Sequence, residues 1–227
     1  MIFREDELNI DAISGPTPPY GSPDQGWGTG KLPAITMTFY AAKAYCKWLS
    51  GVTGKKYRLP TETEWEYACR GGTTDPNFFN ENPKKFKQKG LLRKIFSVDS
   101  LKVNQFVNYS GNSEGKTIEP SSSKPNPFGL INILGNVSEF CSDWYSTDTY
   151  AGYPEDLVID PTGPAEGDEH VIRGGSYRSP AAEIRSAFRD HTRTEAWLLT
   201  DPQMPKSIWW YSDCNYVGFR VVCELDK

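Results

Sequence analysis

Apolar positions first recur with helical spacing in FYAAKAYCKWLSGVTG, residues 39–54. Ala41, Ala44, Tyr45, Trp48 and Leu49 share one face there, and Gly51 is available as a stop, so a helix is predicted from about Thr38. After the turn GKKY, the segment RLPTETEWEYACRGG (58–72) predicts a second helix. Thr61 stands as its N-cap, Glu64 three residues on closes a reciprocal capping box, Trp65, Ala68 and Cys69 form the apolar face, and Gly71 and Gly72 end it. Late in the chain the pattern changes. HVIRGGSY, IRSAFRD and VGFRVVCE alternate and carry β-branched residues, which predicts short strands. Helices first and strands late, with no βαβ rhythm, predict an α+β fold with two main helices and short antiparallel strands, and argue against a parallel sheet.

Punctuation and charge refine this picture. Residues 1–31 are dominated by GPTPPYGSPDQGWGTG, whose Pro and Gly spacing forbids helix and predicts an extended, turn-rich arm. Residues 32–227 form the globular domain, and 227 residues in all suit one domain with its arm. The run Asn82 to Phe96 carries Lys84, Lys85, Lys87, Lys89, Arg93 and Lys94 and reads as a solvated surface insertion, with a docking patch for an acidic partner as the alternative. A net charge of -4 provides no positive field for a phosphate backbone, so nucleic acid is not an expected partner. Seven Trp among 13% aromatics, with 20 Gly and 17 Pro, predict a loop-rich fold filled by large rings. No run of 18 apolar residues suggests a membrane span. The start MIFREDELNID has neither the basic region nor the apolar run of a signal peptide, so the chain as written reads as soluble and not exported. A periplasmic or cell-surface location remains open if a leader was lost.

Generic catalytic signatures (HExxH, GxSxG, a Walker loop, a dinucleotide-binding glycine turn) are absent. The two histidines, His170 and His191, form no metal-binding pattern, and the five cysteines, Cys46, Cys69, Cys141, Cys214 and Cys223, form no CxxC pair. Cys214 has no convincing histidine partner for nucleophilic work. In RGGSY, Gly174 and Gly175 permit backbone angles other residues resist, and deliver Ser176 and Tyr177 to a fixed place.

Five ordered blocks carry a resemblance: RLPTETEWEYACRGG (58–72), NPFGLINILGNVSEF (126–140), VIRGGSY (171–177), RSAFRD (185–190) and VGFRVV (217–222). From about Leu32 to the end, the chain resembles the formylglycine-generating enzyme (sulfatase-modifying factor) family, whose fold is a variant of the C-type lectin-like fold. The family's N-terminal strand with an FxMG-type motif has no counterpart. The resemblance implies a structural calcium site at Asn132, Gly135, Val137 and Glu139. An amide, two carbonyls and a carboxylate, completed by water, suit a hard cation. A second calcium site would use Asn108 and Tyr109, although its acidic partner is not evident.

Catalytic members hold copper with two cysteines just after the glycine turn. By resemblance those positions are Ser179 and the neighbourhood of Ile184, so copper is not expected, because soft thiolates select Cu(I) and a serine hydroxyl does not. Cys46 and Cys69 match positions that form disulfides in some relatives. Their partners correspond here to Val221 and roughly Ser186, so both bridges are expected to be lost unless Cys223 substitutes. The expectation is a non-oxidase member that binds a peptide, protein or glycan in a groove formed by Ser176, Tyr177, Ser179, Arg185, Trp209, Trp210 and Asp213, whose rings and polar groups suit recognition. The competing expectation is a formylglycine-generating-type or metal-dependent oxidoreductase with a relocated active site.

Overall fold

A computed structural model describes residues 21–80, 102–154 and 157–225 of the chain. The basic run at 82–96 lies outside the described residues. Helix α1 (Phe39–Thr53) starts at Thr38, whose Oγ accepts from Ala41 N at 3.1 Å. It runs past Gly51 to a left-handed cap at Gly54, φ 68°, whose N–H reaches Ser50 O. The expected stop at Gly51 is thus corrected by three residues. The apolar face is also offset from the one read in the sequence. Ala42 and Cys46 are buried, because small residues let the helix approach the sheet closely, while Tyr45 and Trp48 contact each other on the flank with ring centroids 5.4 Å apart.

Strand β1 (Tyr57–Arg58) leads to helix α2 (Glu62–Arg70). The capping box is present as read: Glu64 N donates to Thr61 Oγ at 3.2 Å, and Thr61 N donates to the Glu64 carboxylate at 2.8 Å. Gly71 closes the helix in the left-handed region. Glu62 joins Trp65 and Cys69 on the buried face. After the short helix α3 (Val103–Phe106) come β2 (Ser138–Trp144), β3 (His170–Arg173), β4 (Arg189–His191), helix α4 (Thr194–Leu199), β5 (Val217–Gly218) and β6 (Val222–Cys223). The fold is α+β, as expected, but β2 and α4 were not foreseen. The predicted strand VGFRVVCE is divided between two sheets. A four-stranded sheet has the order β4-β3-β2-β5, and β1 pairs with β6. The β2–β5 pair is parallel, in the register Ser138↔Val217, which corrects the purely antiparallel expectation. Strand β5 arrives from the loop after α4, and the long return permits either direction.

Both faces of this sheet are buried. Successive side chains point to opposite faces, so Cys141 and Val171 enter a cluster with Trp65, Cys69, Ile133 and Ile184, while Phe140 and Ile172 enter another with Ala42, Cys46, Tyr211 and Val217. Helix α2 therefore covers one face and α1 the other. A ring column fastens α1 to the sheet: Phe39 and Trp144 stack on His170 at 3.4 and 3.8 Å. Burial in this column lowers the His170 pKa to about 4. Of the expected extended, turn-rich arm, residues 21–31 form turns that pack on the domain. Asp24 accepts from Gly26 N and Gly28 N, Gln25 accepts from Asn215, and Trp27 meets Tyr177 edge-on at 5.5 Å.

Two outcomes follow from these elements. Thr61→Ala should cost about 1 kcal/mol in urea unfolding, and Glu64→Ala should cost at least as much, because Glu64 also holds Arg58 through two hydrogen bonds at 2.6 and 2.7 Å. A Thr61→Ala protein as stable as the parent refutes the cap. The second outcome concerns acid. The unfolded chain protonates His170 near its ordinary 6.5, while the folded chain resists down to about 4. Stability attached to this residue is therefore complete above 6.5 and is lost as pH falls toward 4. His170→Phe should flatten the melting temperature between these values, and an unchanged slope excludes His170 as the cause.

Candidate functional site

The double-glycine turn that leaves β3 is tightly constrained. Gly174 and Gly175 have φ of 91° and 68°, the region that glycine tolerates best. A Cβ on Gly174 would stand 2.9 Å from Ile133 O and 3.0 Å from Trp65 Cζ2. On Gly175 it would stand 3.1 Å from both Ser179 Oγ and Ile184 Cδ1. Ser179 and Ile184 thus meet over the missing side chain of Gly175. Ser179 Oγ accepts from Ser176 N at 3.1 Å, and Ser176 Oγ accepts from Arg178 N at 3.2 Å, so both hydroxyls are used to close the loop.

The turn is held from beneath by Arg173. Its side chain is fully buried and donates to Phe188 O at 2.9 Å, Ser186 O at 2.7 Å and the Glu66 carboxylate, with Glu62 at 3.3 Å. Arg189 neutralises Glu62 from the other side at 2.6 and 2.8 Å. This network escaped the sequence reading. Its one legible signal was that Glu62 and Glu66, four apart, share a helix face with Trp65.

The residues expected to form one groove differ in exposure. Ser176, Tyr177 and Trp209 are buried. The Tyr177 hydroxyl donates to Asn215 Oδ1 and accepts from Arg178 Nε, both at 2.9 Å, and burial raises its pKa. Trp209 packs against Tyr40 at 5.1 Å. Arg185 is exposed, with its guanidinium 5.9 Å from the Phe188 ring centre, and Asp213 is exposed. Trp210 lines two cavities of about 320 and 460 Å³, and none of Ser176, Tyr177, Ser179, Arg185 or Asp213 lines either. Trp209 lines the 460 Å³ cavity together with Trp210.

In the loop before β2, Asn132 and Gly135 take φ of 50° and 75°. A Cβ on Gly135 would stand 2.4 Å from Asn108 O, so the two backbones touch. Among the described residues, both polar atoms of the Asn132 amide are buried without a partner, an arrangement that costs free energy unless something binds them. Glu139 accepts from Arg220 at 2.5 and 2.6 Å and from Trp65 Nε1 at 2.7 Å. Val137 is buried against Gly218. The Asn108 amide donates to Lys116 O at 3.0 Å and Asn136 Oδ1 at 3.2 Å, and Tyr109 N donates to Asn112 Oδ1 at 2.9 Å. No cluster of three or more His, Cys, Asp or Glu suited to a metal occurs among the described residues.

All five cysteines are free thiols, so Cys223 does not replace a lost bridge. Cys69 Sγ donates to Ser186 Oγ at 3.5 Å, which puts Ser186 at the position expected for a partner. Cys46 and Val221 pack in the same cluster. Burial pushes the Cys69 and Cys214 thiols up to about 12 and raises Cys46 and Cys141 as well.

An α+β domain with a sheet covered on both faces and a glycine turn supported by a buried arginine defines the architectural class. Residues 17–197 match the family model described as sulfatase-modifying factor enzyme 1-like domain, and the chain belongs to that family. It is 36% identical over 161 residues to the formylglycine-generating enzyme of Streptomyces coelicolor, covering 70% of this chain and 46% of the relative. It is 34% identical over 166 residues to the serine/threonine-protein kinase pkn1 of Chlamydia pneumoniae, covering 71% and 22%. The chain therefore spans less than half the length of either relative. Among solved structures, PvdO from Pseudomonas aeruginosa superposes with a TM-score of 0.64 at 27% identity, covering 94% of this chain and 67% of that one.

Proposed function

We propose that this domain uses the sulfatase-modifying-factor scaffold for binding, of a peptide, protein or glycan, and does not oxidise cysteine to formylglycine. The observation that carries this reading is the pair that meets over Gly175: a serine hydroxyl engaged by Ser176 N, and a fully buried isoleucine. By the resemblance, catalytic members present two thiolates there. A hydroxyl at neutral pH offers Cu(I) no soft anionic ligand, and an alkyl group offers none at all. The buried thiols elsewhere are held protonated by desolvation, so they supply no substitute thiolate. Of the residues read as a binding surface, Ser179, Arg185, Trp210 and Asp213 have solvent exposure, while Ser176, Tyr177 and Trp209 are buried.

We further infer a structural calcium ion held by Asn132, the carbonyls of Gly135 and Val137, and Glu139. The unpartnered, buried Asn132 amide fits an oxygen ligand. Glu139 fits on condition that calcium shares the carboxylate with Arg220. Two carboxylate oxygens offer about four lone-pair directions, and three are used by Arg220 and Trp65. Calcium would tie the loop before β2 to the sheet. The further pair Asn108 and Tyr109 belongs to the same proposal as a weaker second site.

Incubation of the protein with a cysteine-containing sulfatase peptide, copper and oxygen should leave the cysteine mass unchanged in mass spectrometry. An aldehyde product lost in Ser179→Ala or Cys214→Ala would overturn the non-oxidase reading. For the metal, a chelator should lower the melting temperature of the parent, since calcium at about 100 times its Kd adds about 2.7 kcal/mol. Asn132→Ala should remove that response with little change in metal-free stability. Glu139→Ala should remove it too, and in addition lose about 3–5 kcal/mol even with chelator, because Arg220 is left without its partner. An Asn132→Ala protein that still responds fully to chelator refutes the calcium assignment.

A further inference from the structure

A cavity of about 750 Å³ lies between α1, β1 and the Trp144 end of β2, away from the glycine turn. Lys43, Lys47 and Lys56 line it, together with Arg58 and Glu224. Arg58 is fully engaged: it donates to Glu64 at 2.6 and 2.7 Å and to Glu224 at 2.9 Å. The three lysines differ. Among the described residues, no ammonium group of Lys43, Lys47 or Lys56 is within salt-bridge distance of a carboxylate. Three unbalanced positive charges thus converge on one concavity of a chain whose net charge is -4. Lys43 and Lys47 are four apart on α1, which puts them on one side of that helix.

The aromatic lining sharpens the chemistry. His170 has both ring faces covered, by Phe39 and by Trp144. Phe39 carries the Lys43 ammonium 5.6 Å from its ring centre. A Cβ on Gly167 would stand 3.1 Å from Trp144 Cβ, so backbone approaches that residue as well. Both faces of the His170 ring are therefore closed to a ligand. Stacking of a sugar ring needs an open aromatic face, and the imidazole offers none. A cavity of this size, in the usual range for ligand sites, with ammonium groups at its wall that meet no carboxylate among the described residues, complements carboxylates on a short extended chain.

We propose that this cavity is a docking site for an acidic peptide segment, whose carboxylates meet Lys43, Lys47 and Lys56 above the Phe39–His170–Trp144 column. The site is separate from the glycine turn and stands whether or not that turn is catalytic. It predicts binding governed by charge and screened by salt, since exposed pairs weaken as the Debye length falls.

The test is fluorescence anisotropy of fluorescein-labelled hexaglutamate with the intact chain at low ionic strength, with hexaglutamine and a chondroitin sulfate hexasaccharide as further probes. Saturable binding of hexaglutamate, lost in high salt and absent for hexaglutamine, is expected. Lys43→Glu/Lys47→Glu should weaken it by more than about tenfold, or 1.4 kcal/mol, at an unchanged melting temperature. If that pair fails to fold, Lys43→Gln/Lys47→Gln/Lys56→Gln should weaken it in the same direction. Reversal of Lys84 and Lys85 in the basic run should leave it intact. Absence of saturable binding, equal binding by the charge-reversed protein, or loss only on reversal of Lys84 and Lys85 overturns the proposal. So does a hexasaccharide that binds more tightly than hexaglutamate, which assigns the cavity to an anionic glycan.

Discussion

Arg173 is the charge around which the domain is arranged. Its side chain has no exposure to solvent, and an unpaired cation in that place would cost several kcal/mol. The structure meets this demand with Glu62 and Glu66 from α2, the carbonyls of Ser186 and Phe188, and the face of Trp65, 5.3 Å away. Arg189 and Arg70 then balance the two glutamates from outside. Charges alternate through the cluster, so no member can leave without exposing another. Helix α2, strand β3 and the 184–188 segment are thereby fixed to each other, and the glycine turn starts at the next residue.

The sheet turns this local arrangement into a domain. Strands β2 and β3 send alternate residues into two cores, one under α2 and one under α1. Asp143 of β2 accepts from Glu62 N at 2.9 Å, so the sheet also caps the helix that neutralises Arg173. The short parallel contact of β2 with β5 brings Arg220 within reach of Glu139, and Trp65 Nε1 donates to the same carboxylate. One buried acid thus links helix α2 to the C-terminal segment.

On such a scaffold, the chemistry of a site and its support are separable. The turn geometry depends on Gly174, Gly175 and Arg173, none of which needs a metal. The groups that meet over Gly175 are free to be a hydroxyl and an alkyl group without disturbing the backbone that presents them. The lysine-rich cavity beside the His170 column depends on other elements, so binding there does not depend on what the turn does.

Local chemistry was legible in the sequence wherever it acts over a few residues. The capping box of Thr61 and Glu64, the stop at Gly71 and the apolar face of α2 each rest on contacts three or four positions apart, and each stands in the structure. The glycine turn was legible from residue type, because positive φ favours glycine. The ordered blocks likewise carried the family. Tertiary structure decided the rest. Strand β2 was hidden because burial on both faces removes the alternation that marks a half-exposed strand. The pairing of β5 with β2 and of β6 with β1 joins positions far apart, which no local period encodes. The partners of Glu62, Glu66 and Glu139 could not be chosen from spacing, and the burial of Ser176, Tyr177 and Trp209 follows from packing against elements distant in the chain. Residue type alone proposes what a side chain can do; the elements packed around it decide whether solvent or ligand can reach it.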